Sequence, residues 1–182
     1  MATYTNEDLA IPTVPAFDGN DPSNAVNFVS ATPPSVDLTS ATFANWVDGD
    51  DFVVVSGVGQ IAALEITGSE KADHITGGSG NDTVIGFTEG DTVDGGDGTD
   101  TLELTASFGP EADASLANVE AITAANALAG VTIDLTGQTE SFDITGSSEA
   151  DTVIGFVAGS TLDGGDGTDT LELTASFGPE DD

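Results

Sequence analysis

Aspartate recurs at positions 73, 82, 91 and 100, nine residues apart, and again at 151 and 169, two such steps apart. A carboxylate returning at a fixed interval is an oxygen donor returning at a fixed interval, the starting material of a hard-cation site. The chain has no Cys, so thiolate metal sites and disulfides are excluded and only oxygen chemistry remains. Paired carboxylates also serve glycoside hydrolysis, but nearly every suggestive Asp here belongs to a repeat, and repetition at metal spacing is better explained by metal. With one His and no Cys, most nucleophilic triads and zinc sites cannot be built, nor is there a phosphate-binding loop. The chain therefore reads as a non-enzyme.

The elements that must position these carboxylates are themselves periodic. Residues 82–111 recur at 151–180 with 26 of 30 positions identical, at an offset of 69. ITGSEKAD at 66–73 matches ITGSSEAD at 144–151 at an offset of 78, nine more. Nine residues are thus the structural quantum. From Gly68 the units are GSEKADHIT, GGSGNDTVI, GFTEGDTVD and GGDGTDTLE; from Gly146 they are GSSEADTVI, GFVAGSTLD and GGDGTDTLE. The second, fourth and seventh fit G-G-x-G-x-D-x-U-x at every fixed position, U being a large apolar residue. Glycines allow positive φ and close backbone approach in the first six positions, and T-V-I, T-V-D or T-L-E supplies a short β-prone strand with one apolar side chain facing inward.

These nonapeptides resemble the RTX (repeats-in-toxin) family of calcium-binding proteins, and the resemblance covers 63 residues directly. It implies an all-β fold, a parallel β-solenoid or β-roll with two nonapeptides per coil, Ca2+ held between loops of successive coils, and export by a type I secretion system. Loops 18 residues apart would then be separated by roughly the ~4.8 Å spacing of neighbouring strands, close to twice a ~2.4 Å Ca–O bond. On that scheme Asp82 and Asp100 face one ion, as do Asp151 and Asp169. The carbonyls of their loops complete the shell: Gly77, Gly78 and Gly80; Gly95, Gly96, Asp97 and Gly98; Gly164, Gly165, Asp166 and Gly167. Asp73 and Asp91 form a third pair on the opposite edge, in loops GSEKAD and GFTEGD that depart from the pattern with Lys71 and Phe87. Ser160 stands where the first block has Asp91, so that loop is expected to close without metal or to bind it poorly. An oxygen-only, many-liganded site suits calcium better than magnesium, which prefers rigid octahedra and retained water.

Charge points the same way. Against 33 acidic residues stands the single cation Lys71, a formal net charge of minus 32. With 38% hydrophobic residues the chain is too apolar for ordinary disorder, so cations must neutralise it. Nucleic acid is excluded as a partner, since phosphate contacts need Lys and Arg and there is no Arg. The N-terminal MATYTNEDLAIPTVPAF lacks the basic and apolar stretches of a signal peptide, and no segment approaches membrane-spanning length. The expectation is a secreted, extracellular or cell-surface protein exported without a signal peptide and not inserted in a membrane.

Between the blocks, VEAITA, VTIDLTG and SFDITG carry short β-branched runs without helical period and read as further solenoid strands. Segments of the type NVEAIT and VTIDLTG resemble those of RTX-type bacterial surface-layer proteins. ATFANWV at 41–47 resembles ASLANVE at 114–120, giving a first module at 41–113 with nonapeptides at 68–103 and a second at 114–182 with nonapeptides at 146–172. Residues 1–40, acidic and punctuated by Pro, are either a leader or linker, or a segment that caps a solenoid or joins subunits by strand addition. His74 reads as an exposed strand residue and Trp46 as core or coil-end packing. The expected role is a structural subunit that self-associates with calcium into a surface layer, fibre or matrix. The alternatives are a module binding polysaccharide or ice, similar to the calcium modules of secreted alginate epimerases, and an accessory secretion domain.

Overall fold

The computed structural model describes residues 3–5, 16–18, 24–27, 35–39, 42–44, 53–109 and 115–173. Every strand pair among them is parallel. One sheet stacks β1 (Thr3–Thr5), β3 (Asn24–Asn27), β6 (Val53–Ser56), β8 (Asp73–Thr76), β10 (Thr92–Asp94) and β12 (Leu116–Ala117). A second runs β4 (Ser35–Asp37), β7 (Glu65–Thr67), β9 (Thr83–Ile85), β11 (Thr101–Glu103), β13 (Ala121–Thr123), β15 (Asp143–Thr145) and β17 (Thr161–Asp163). β14 (Thr132–Asp134), β16 (Thr152–Ile154) and β18 (Thr170–Glu172) form a third, and β2 (Ala16–Asp18) pairs with β5 (Thr42–Ala44). The chain alternates between sheets as it advances, so it winds as a parallel β-solenoid.

Register carries the repeat into space. Thr83 lies opposite Thr101, His74 opposite Thr92, and Thr152 opposite Thr170, each 18 residues on. Two nonapeptides therefore make one coil. Outside the repeats the coils are longer: Thr101 lies opposite Ala121, 20 residues on, and Ala121 opposite Asp143, 22 on. Pairing also runs across residues 113 and 114, since β10 joins β12 and β11 joins β13. At the other end, β3 and β4 from residues 1–40 pair with β6 and β7.

The core is a set of columns, because β4, β7, β9, β10, β11, β13, β14, β15 and β16 each bury the middle residue of three and turn the flanks outward. Ile66, Val84, Leu102, Ile122 and Ile144 stack along the second sheet, all buried. Each column member shields the ones above and below, worth ~25 cal/mol per Å² of apolar surface. At β18 burial gives way, with Leu171 and Leu173 43% and 50% exposed. Phe108 bridges Ile133 of β14, and its ring meets Phe87 at 5.3 Å, tilted by 58°. That packing explains why the loop GFTEGD gives up its second glycine. His74 lies on β8 between Val54 and Thr92 in register, whereas Trp46 lies outside the described residues.

Candidate metal centre

Each repeat Asp stands immediately before its strand, or in the case of Asp73 begins it, so strand register dictates which carboxylates meet. Asp82 sits one coil from Asp100, Asp151 from Asp169, and Asp73 from Asp91. The stacking is direct. The Asp82 N–H donates to Asp100 Oδ1 at 2.7 Å, the Asp151 N–H to Asp169 Oδ1 at 3.0 Å, and the Asp73 N–H to Asp91 Oδ1 at 2.8 Å. Asp73, Asp82, Asp91, Asp100 and Asp151 are buried, while Asp169 is exposed.

The glycines explain how the loops approach so closely. A Cβ on Gly77 would run into the Gly95 carbonyl oxygen and Asp82 Oδ2, and one on Gly146 into the Gly164 carbonyl oxygen and Asp151 Oδ2. On Gly96, which also has φ +94, it would meet the Gly78 carbonyl oxygen; on Gly98, that of Gly80. Equivalent contacts join Gly165 to Ser147 and Gly167 to Glu149, and the Asp97 N–H donates to the Gly78 carbonyl at 3.1 Å. Asp97 and Asp166 are exposed loop residues. Thus carbonyl and carboxylate oxygens crowd a cradle that only glycine leaves open.

Elsewhere, backbone N–H groups and hydroxyls satisfy the carboxylates. The Ser69 N–H and hydroxyl donate to Asp73, those of Thr88 to Asp91, and those of Ser147 to Asp151. Asp82 Oδ2 receives the Gly78 N–H at 2.6 Å. Asp100 Oδ2 is buried with no hydrogen-bond partner. Ser160, in the place of Asp91, uses its hydroxyl to accept the Phe142 N–H at 3.0 Å, the task its aspartate counterpart performs for Asp73.

Burial raises the Asp73 carboxyl to about 7, with the Asp91 charge adding to the rise against hydrogen bonds from Ser69. Burial also raises Asp91, opposed by bonds from Thr88 and Asp73 and by His74. Asp100 is raised by burial, and further by Asp82, Glu120 and Asp94. Carboxylates that resist ionisation for want of water are those a cation would relieve.

Among the described residues no group of three or more His, Asp or Glu side chains is placed to hold a metal. A cation here must draw on backbone carbonyls, as the oxygen-lined cradles and the orphaned Asp100 Oδ2 allow. That donor set, all oxygen and more carbonyl than carboxylate, fits calcium. Residues 67–102 match the family of the RTX calcium-binding nonapeptide repeat in four copies. The chain carries RTX calcium-binding repeats. No curated protein and no solved structure is significantly similar to the chain. RTX repeats bind Ca2+, form a structural fold without catalytic machinery of its own, and are typical of secreted proteins. No helix among the described residues is long and apolar enough to cross a membrane.

The nine-residue period did not single out Glu120. It precedes β13 as Asp100 precedes β11, and its Oε2 accepts the Asp100 N–H at 2.7 Å. Its signal in the sequence is an acid directly before a strand, displaced from the period by two residues.

Proposed function

We propose that this chain is a secreted structural protein that folds as calcium fills its RTX loops, and whose copies then join end to end or in a lattice at a cell surface or in a matrix. The carrying observation is the stack of paired carboxylates, Asp82 with Asp100, Asp151 with Asp169, and Asp73 with Asp91. The proposed ligands are those Asp side chains with carbonyls of Gly77, Gly78, Gly80, Gly95, Gly96, Asp97 and Gly98, and of Gly164, Gly165, Asp166 and Gly167. Like charges one strand apart repel by on the order of 3 kcal/mol at an effective dielectric near 20. A chain of net charge minus 32 has one lysine to offset them, so folding and ion binding become a single event. Low calcium inside a cell would keep the chain unfolded for a signal-peptide-independent (type I) exporter, and millimolar calcium outside would fold it.

Assembly is supported by the edge at β18. Among the described residues β18 pairs along one edge only, with β16, and Leu171 within it and Leu173 just after it are exposed. A parallel edge beside exposed apolar side chains is a template for another strand. The binding-module alternatives are less well supported. The outward row Glu65, Thr83, Thr101, Ala121, Asp143, Thr161 mixes threonine with carboxylates, unlike a regular ice-binding array. An open groove of about 460 Å³ beside the loops is lined by Asp94, Asp97 and Asn118 and by no cation, which would repel an acidic polysaccharide. Light scattering and electron microscopy of the purified chain at millimolar calcium should find ordered polymers that chelator disperses. Monomers alone would defeat the assembly reading.

A further inference from the structure

We propose that the chain holds a further calcium ion between the loop at 95–100 and the turn at 117–120, beyond the matched repeats, with Asp100 and Glu120 as its carboxylates and the Asn118 carbonyl as another donor. This rests on the reading that the stacked Asp loops hold calcium.

The geometry repeats step for step. Asp82 and Asp100 are stacked by the register Thr83 opposite Thr101; the register Thr101 opposite Ala121 stacks Asp100 and Glu120 in the same way. The Asp82 N–H donates to Asp100 Oδ1, and the Asp100 N–H donates to Glu120 Oε2, both at 2.7 Å. The Gly77 N–H donates to the Asp94 carbonyl at 2.8 Å, and the Gly95 N–H to the Ala117 carbonyl at 3.0 Å. A Cβ on Gly77 would strike the Gly95 carbonyl oxygen and Asp82 Oδ2; on Gly95 it would strike the Asn118 carbonyl oxygen and Asp100 Oδ2. Asn118 thus presents its carbonyl where a repeat presents that of a glycine. It does so at φ 50, the only non-glycine among the described residues with positive φ, its side chain anchored to Asp94 Oδ1 at 2.7 Å.

An independent observation points to a ligand. The Oδ2 atoms of Asp73, Asp82, Asp91 and Asp151 each receive a backbone N–H. Asp100 Oδ2 receives none, in a residue only 2% exposed. An anionic oxygen stripped of water and unpartnered is strongly destabilising unless a cation completes it. The opposite end of the ladder shows what closure without an ion looks like. There Leu64 gives its N–H to Asp82 Oδ1 at 2.7 Å, and its methyl stands at Gly57 where the repeats have an Asp side-chain oxygen. Asp100 therefore bridges two ions, with Oδ1 on the Asp82 N–H and Oδ2 in the space beside Gly95 that the Asn118 carbonyl oxygen also approaches.

Equilibrium dialysis of the full chain against calcium, read by atomic absorption, tests this with Glu120→Gln. The amide oxygen of Gln still accepts the Asp100 N–H, so circular dichroism should show an unchanged calcium-loaded fold. The expected result is one bound ion fewer per chain than wild type. Asn118→Gly, which keeps the carbonyl and the left-handed turn, should bind the full number and guards against misreading a folding defect. Unchanged stoichiometry and affinity in Glu120→Gln would overturn the additional site while leaving the Asp-pair reading standing. A wild-type chain that binds no calcium would overturn both.

Discussion

Replacing Asp100 by Asn should change the sign of its effect with calcium. Asn keeps Oδ1 for the Asp82 N–H, and its amide nitrogen replaces the unpartnered Oδ2 with a donor on the side where the Asn118 carbonyl oxygen lies. In chelator, the substitution removes a buried charge one strand spacing, about 5 Å, from Asp82, relieving on the order of 3 kcal/mol at an effective dielectric near 20. That is roughly a hundredfold in the folding equilibrium. With calcium the balance reverses, since an ion held at a hundred times its Kd stabilises by about 2.7 kcal/mol and Asn is the poorer ligand. Urea unfolding followed by circular dichroism, in chelator with a stabilising osmolyte and again in millimolar calcium, reads both arms. Asp100→Asn should be the more stable protein in chelator and the less stable in calcium. Equal destabilisation in both would mean that Asp100 is only a hydrogen-bond acceptor, and the reasoning would fail.

Acidity should substitute in part for the metal. The folded Asp73 carboxyl titrates at about 7, against an unfolded value of ~3.9. Without calcium, its contribution is fully present below about pH 4 and is lost as pH rises through about 7, on the order of 4 kcal/mol across that window. Asp91 and Asp100, also raised, add in the same direction, so circular dichroism in chelator should show more β-structure at pH 5 than at pH 8. Gly77→Ala should raise the calcium concentration needed for folding by about tenfold or more, because its Cβ meets a carbonyl that cannot retreat. Gly59→Ala, with φ +88 and nothing within 4 Å, bears only left-handed strain of about 1 kcal/mol, and a calcium titration of both variants separates the two effects.

Much of this architecture is legible in the sequence because the repeat does two jobs at once. Nine residues fix both the strand spacing and the place of the carboxylate; the coil of two nonapeptides is what the resemblance to RTX repeats implies, and with it the pairs Asp82 with Asp100 and Asp151 with Asp169 follow, in the register the structure shows. Outside the repeats, an inward residue such as Ile122 or Ile144 still marks a strand. Coil length there is set by turns whose only requirement is to bring the next strand into register, and offsets of 20 and 22 leave no periodic trace. Glu120 was hidden for that reason, and Phe108 because its role depends on Ile133 and Phe87, which are distant in sequence. Nor does the proline-punctuated segment 1–40 announce that β3 and β4 pair with β6 and β7 at offsets of 29 and 30. Ser160 was readable as a missing carboxylate, but not as a hydroxyl that takes over the Phe142 N–H.

The most direct test of the central claim, that folding and calcium binding are one event, is a calcium titration of the full chain followed by circular dichroism. The account predicts a cooperative gain of β-structure as the loops fill, reversed by chelator and not reproduced by magnesium at the same concentration. β-structure already complete in chelator, and indifferent to added calcium, would contradict it.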